Sequence, residues 1–215
     1  MNDFYYKTKF NFSNDASNWI IDRYTDCFNS KFFHDLDITQ HNRQCQTEWQ
    51  NSKAGKELID FLSLYHCDIN YYGIGVFISN SDITVKTNPH IDAKFFQGSS
   101  YRIKSRFNVM VLGNPEDKMI WWDHIEYNDR RLIESKFNTI TGQEYSSKAI
   151  PGNNSIDRWN YLGNPTVQVA NLLTPSAFVR TDCAHGLILS PVPRLIVTVA
   201  LDKSLSEINK ILDFQ

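Results

Sequence analysis

Helical spacing is confined to the first third of this chain and its last dozen residues, and the patterned segments between read as short strands. Residues 18–28 carry Trp19, Ile20, Tyr24, Cys27 and Phe28 at helical intervals. Ser52 is placed to cap a second helix with Leu58, Ile59, Phe61, Leu62 and Tyr65 on its buried side. Residues 4–12 alternate aromatic and polar side chains, as a short strand does. Past Asp68 the texture becomes β-branched and aromatic, and strands are predicted over 71–79, 82–86, 102–112, 118–122, 167–173, 177–180 and 195–201. Residues 204–212 read as a closing helix. Because the helices do not alternate with the strands, a doubly wound α/β fold is disfavoured. The expected architecture is mainly β, a sandwich or barrel with flanking helices.

Residues 128–161 stand apart as polar and irregular, punctuated by Gly142, Pro151 and Gly152. A segment of that length within a compact chain suggests a lid. No linker or repeat divides the 215 residues, so one domain over 1–215 is expected. The 22 basic and 24 acidic residues leave a net charge of −2, which gives no electrostatic footprint for duplex nucleic acid. The N-terminus lacks the apolar stretch of a signal peptide, and no apolar run is long enough to span a membrane. Four scattered cysteines, Cys27, Cys45, Cys67 and Cys183, have no CxxC spacing and read as reduced thiols, which points to the cytoplasm.

The chemistry is sought among six histidines. Two His and one carboxylate on one face of a metal leave coordination positions open for reactants. His-x-Asp at a strand end supplies two of the three, because residues i and i+2 point the same way. With six His and 17 Asp, about half a His-x-Asp is expected by chance, so the motif alone decides little. The chain has His66-x-Asp68 and His90-x-Asp92, and also His124-x-Glu126. His66 precedes nearly all the strands. His124 leads into the irregular stretch. His90 follows a strand through the turn Thr87-Asn88-Pro89, with most of the β material still to come.

The C-terminal segment adds His185, followed nine residues later by Arg194 at the mouth of a strongly apolar strand. A guanidinium there can take a carboxylate in bidentate fashion inside a barrel, or snorkel at a strand edge. His66 and His124 have Gly75 and Ile133 at the same interval. Cys183, two residues before His185, shares its face if the segment is a strand.

His90-x-Asp92, His185 and Arg194 together resemble the Fe(II)- and 2-oxoglutarate-dependent oxygenases over roughly residues 82–201. Residues 106–112 with Phe107-Asn108, followed by Trp121-Trp122, resemble a small bacterial and viral branch of that family. The resemblance implies a double-stranded β-helix, or jelly-roll, as the core over 71–201. The mostly helical residues 1–70 would pack on the barrel, 128–161 would be an insert, and 202–215 a terminal helix. It implies His90, Asp92 and His185 as iron ligands and Arg194 as the partner of the distal carboxylate of 2-oxoglutarate. Thr198, four residues on, shares the face of Arg194 and offers a hydroxyl. Asn108 is a further donor to the cosubstrate or an ordinary polar strand residue, and Arg106, on its face, also lines the cavity. One of Trp121 and Trp122 lines the pocket at most. Asp129-Arg130-Arg131 reads as a solvated turn.

The implied reaction consumes O2, releases succinate and CO2, and hydroxylates a small molecule or peptide. Two rivals stay open: a cupin-like metalloenzyme without 2-oxoglutarate, and a non-enzymatic jelly-roll module that binds or builds. The 20 asparagines and many Ile, Lys and Phe suggest an AT-rich genome, compatible with a phage- or virus-encoded protein acting in host cytoplasm.

Overall fold

The structure, a computed structural model, describes residues 4–28, 34–36, 43–67, 74–79, 83–92, 103–138, 144–170 and 175–212. In chain order the elements are β1 (Tyr5–Thr8), α1 (Asn14–Phe28), β2 (His34–Leu36), α2 (Arg43–Asn51), α3 (Lys53–Ser63), β3 (Ile74–Ser79), β4 (Val85–Lys86), β5 (Ser105–Leu112), β6 (Lys118–Glu126), β7 (Ile133–Asn138), β8 (Glu144–Ala149), α4 (Ser155–Leu162), β9 (Val167–Ala170), β10 (Ser176–Arg180), β11 (Cys183–Leu189), β12 (Arg194–Leu201) and α5 (Leu205–Leu212). The fold is mainly β, built on two antiparallel sheets with few helices. One sheet has six strands in the order β1-β10-β5-β12-β3-β2, and the other has four in the order β4-β11-β6-β9. Successive strands cross repeatedly between the two. Among the described residues no helix is long and apolar enough to cross a membrane.

Period-two alternation assigns each strand face to a layer. Leu195, Val197, Val199 and Leu201 of β12, with Phe107 and Val109 of β5 and Phe178 of β10, join Ala16, Ile20, Trp49, Leu58 and Leu62 of the helices in one core. The opposite face of the same strands meets the small sheet: Ile196, Ala177 and Val179 pack on Met119, Trp121 and Cys183. The outer face of the small sheet, through Ile120, Trp122 and Ala184, packs on Leu132, Ile150 and Leu162. Arg106, Asn108, Arg194 and Thr198 have the parity of the face between the sheets. Strand β12 is buried along its whole length, as a central strand must be.

Several elements differ from the sequence reading. The described part of residues 128–161 is not irregular: it holds the paired strands β7 and β8 and helix α4, while 139–143 lie outside the described residues. That strand pair is polar in sequence and pairs only with itself in its sheet, so no apolar alternation marks it. Helix α4 does carry its signals, since Asn154 accepts from the Asp157 N–H and Gly163 closes the last turn at φ 69°. Strand β6 runs on to Glu126, which puts His124 in a strand. Ser52 does cap α3, its hydroxyl accepting from Gly55 N–H at 2.9 Å. Ile59 is exposed and not on the buried side, because the stripe through Ala54, Leu58 and Leu62 passes beside it.

Candidate metal centre

Backbone pairing, not side-chain attraction, brings His90 to His185. Strand β4 pairs with β11, and the pairing continues beyond β4. Thr87 N–H donates to Leu187 O at 2.9 Å, and the Thr87 hydroxyl accepts from Leu187 N–H at 2.8 Å. His90 and His185 then exchange two backbone hydrogen bonds, each 2.9 Å, and Asp92 N–H donates to Thr181 O at 2.9 Å. Trp159 of α4 braces this seam from outside. Its indole N–H donates to Thr87 O at 2.8 Å, and its ring meets Trp122 edge-on at 4.9 Å.

The three side chains converge as a consequence. One ligand atom from each of His90, Asp92 and His185 lies within 4.8 Å of the others, a group that can hold a metal ion. The two imidazole centroids are 4.5 Å apart, and His90 Nε2 is 3.6 Å from Asp92 Oδ1. His90 Nδ1 lies 2.9 Å from Asn88 O, and His185 Nδ1 lies 3.0 Å from Cys183 O. A carbonyl can only accept, so each Nδ1 carries the proton and each Nε2 lone pair is left for a metal. Asp92 Oδ2 accepts from the Arg106 guanidinium, which leaves Oδ1 on the histidine side. Asp92 and His185 are buried while the His90 side chain is about half exposed, so the group sits at a rim open to solvent.

Electrostatics favour the ligating protonation states. Burial pushes the Asp92 carboxyl up, but the Arg106 charge and then the two imidazoles outweigh it and hold it below the usual carboxylate range. Burial, reinforced by facing His90, pushes His185 from 6.5 down to about 4, with Asp92 opposing. Both depressed values act in one direction. Between pH 6.5 and about 4 the unfolded chain binds a proton at His185 that the folded chain does not. The Asp92 contribution is complete above 3.8 and is lost as pH falls through its lower folded value. The metal-free protein is therefore expected to lose stability as pH drops from 6.5 to 4, by about 3 kcal/mol from His185 alone. Urea unfolding in EDTA across that range checks this, and a flat profile contradicts it.

Deeper between the sheets, Arg194 is buried at the start of β12. Burial lowers it to about 10, with Asp117 opposing. Its Nε lies 3.4 Å from Asp117 Oδ2 without a hydrogen bond, and Asn108 Oδ1 and Thr198 Oγ1 are likewise buried without partners. Asn108 and Thr198 stand opposite each other across β5 and β12. A small void at the Arg194 end is lined by Met110, Asp117, Met119 and Leu187. Arg106, expected to line the same cavity, engages Asp92, because it lies at the end of β5 nearest that carboxylate.

Among the described residues the other sequence candidates do not assemble. His66 occupies a left-handed turn after α3 (φ 50°), and Asp68 lies outside the described residues. His124 is exposed beside Asp123, and Glu126 pairs with Arg180 at 2.7 Å. Arg131 folds back on Asp129 and the His124 carbonyl, a self-contained turn. Trp121 lies between the sheets and Trp122 in the outer core. Cys67 and Cys183 are buried and not in a disulfide, burial pushing Cys183 up to about 12, while the Cys27 and Cys45 side chains lie outside the described residues. Sequence reasoning singles out neither Asp117 nor Trp159. Asp117 ends a Gly-Asn-Pro-Glu turn and reads as a turn residue, and Trp159 falls in the stretch expected to be irregular.

No family model and no curated protein matches the sequence. Among solved structures, a prolyl 4-hydroxylase from Phytophthora capsici aligns at 11% identity and a TM-score of 0.38, over 89% of this chain and 55% of that one. An L-ribose isomerase from Geodermatophilus obscurus aligns at 13% identity and a TM-score of 0.28, over 78% of this chain and 58% of that one. This chain thus spans little more than half the length of either. Similarity at that level does not define a common fold.

Proposed function

We propose that the protein is an Fe(II)- and 2-oxoglutarate-dependent dioxygenase that hydroxylates a small-molecule or peptide substrate on a double-stranded β-helix. The observation that carries this is an interior between the two sheets with an unfinished polar group on each side. One is the His90–Asp92–His185 group with both Nε2 atoms free. The other is the row of buried, unpartnered polar atoms on Asn108, Thr198 and Arg194. Leu187, which borders the Arg194 void, is two residues from His185 along β11, roughly 7 Å. A five-carbon diacid with one end at the metal would extend in that direction, toward the guanidinium. The interleaving of strands between the sheets supports the β-helix reading.

In this reading His90, Asp92 and His185 hold the iron, and Arg106 keeps Asp92 monodentate by occupying its second oxygen. Arg194 receives the distal carboxylate, and Thr198 and Asn108 complete the wall that binds the cosubstrate. The apolar side chains Met119, Trp121 and Ile196 exclude water from it. Bound iron with 2-oxoglutarate and O2 supplies the oxidation, yielding succinate and CO2 with hydroxylated product. The half-exposed side of His90 is the face through which substrate approaches. Cys67 and Cys183, buried and not in a disulfide, are consistent with a reducing, cytoplasmic setting.

The test needs no substrate. Pure protein with Fe(II) and O2 is expected to release succinate slowly from 2-oxoglutarate, and chelation is expected to stop it. Iron and 2-oxoglutarate both bound, with no succinate under any candidate substrate, overturns the oxygenase reading. The Arg194–Asp117 pair favours one rival, a metalloenzyme that does not use 2-oxoglutarate. Metal binding without 2-oxoglutarate binding selects it.

A further inference from the structure

Arg194 is buried beside a charge of its own. Asp117, at the end of the β5–β6 turn, is buried too, and its Oδ1 accepts from the Ser190 N–H at 2.8 Å and from the Ser190 hydroxyl. Fixed in this way, it turns Oδ2 toward Arg194 Nε at 3.4 Å, yet the alignment yields no hydrogen bond. A residue meant to orient the guanidinium would bond Nε. Asp117 gives it compensating charge and leaves Nε unbonded. A buried guanidinium without a counter-charge is costly, so this arrangement stabilises Arg194 before any ligand arrives. A ligand carboxylate that reaches Arg194 must then sit near a second, immobile carboxylate.

We infer that Asp117 is a resident counter-ion of Arg194 that competes with the distal carboxylate of the cosubstrate and weakens its binding. The inference rests on the 2-oxoglutarate reading above. Two effects add. In the free protein Asp117 stabilises Arg194, and in the complex it repels the ligand. Both lower affinity for a diacid, and neither touches a 2-oxo acid that lacks the distal carboxylate. Occupancy of the site then follows the cosubstrate concentration instead of saturating at low levels.

The experiment is calorimetric titration of Mn(II)-loaded protein without O2, using 2-oxoglutarate and, in parallel, 2-oxobutyrate, which keeps the chelating head and lacks the distal carboxylate. Asp117→Asn keeps an acceptor for both Ser190 donors. It is expected to tighten 2-oxoglutarate by at least about fivefold while changing 2-oxobutyrate by less than about twofold. Without ligand its Tm is expected to fall, and 2-oxoglutarate is expected to raise that Tm more than it raises the wild-type value. Unchanged or weaker 2-oxoglutarate binding in Asp117→Asn overturns the inference while leaving the cosubstrate reading intact. Binding of neither acid to the wild-type protein overturns both. If Asp117→Asn does not fold alone, the neutral pair Asp117→Asn with Arg194→Gln decides. Recovered folding supports the counter-ion role, and a double variant no better folded than the single one overturns it.

Discussion

His185→Ala is expected to abolish Fe(II) binding, while His66→Ala leaves it unchanged. Two ligands remain in the first variant, and they lie close together on one short segment, so they cannot enclose a metal on three sides. Loss of a side chain that only orients a metal ligand costs about 10–100-fold in metal affinity, and loss of the ligand itself should exceed the upper end of that range. The fold should survive, because the His90–His185 pairing is made by backbone N–H and C=O groups that alanine retains. Far-UV circular dichroism checks this, and anaerobic Fe(II) titration reads the affinity. His66 stands in an exposed turn at φ 50° and lies outside the group that can hold a metal. Equal loss of iron in both variants would refute the assignment of the site.

Arg194→Ala is expected to raise the Kd for 2-oxoglutarate by at least about tenfold with the metal still bound. The guanidinium is a buried cation on β12, and removing a charge-assisted partner of a buried carboxylate costs about 2–5 kcal/mol. The same substitution strands Asp117, which is buried and keeps only its Ser190 donors. The variant should therefore also unfold more easily, and adding Asp117→Asn should return part of that stability. Titration of the metal-loaded variant separates the two effects, since metal affinity reports the fold and 2-oxoglutarate affinity reports the anion site. Unchanged cosubstrate affinity would point to another cation or to a metalloenzyme with a different cosubstrate.

Much of this arrangement is legible in the amino-acid sequence itself. Apolar runs and turn residues mark most of the strands. The choice of His90 over His66 and His124 follows from where each lies relative to the β segments. Pairwise geometry is what the sequence does not carry. Arg106 and Asn108 share a face by parity, but only the register of β5 against β10 and β12 decides that Arg106 meets Asp92 while Asn108 meets Thr198. Asp117 gives no signal because a carboxylate after Asn-Pro-Glu looks like any turn, and its meaning comes from Arg194 beside it, far along the sequence. The β7–β8 pair escapes notice because polar strands that pair with each other need no apolar alternation.

The position of β12 has a consequence for biosynthesis. It is hydrogen-bonded to β3 on one side and β5 on the other, so two early strands share a sheet only after a late one has slid between them. Closure over such sequence separations is slow, and it leaves strand edges open in the meantime. A nascent chain that has emerged only as far as β6 already displays His90 and Asp92 but neither His185 nor Arg194. It therefore lacks the third member of the group that can hold a metal ion and the proposed partner of the distal carboxylate. If the proposed function holds, insertion of β12 thus comes late enough that oxidative chemistry starts only once both sheets have formed.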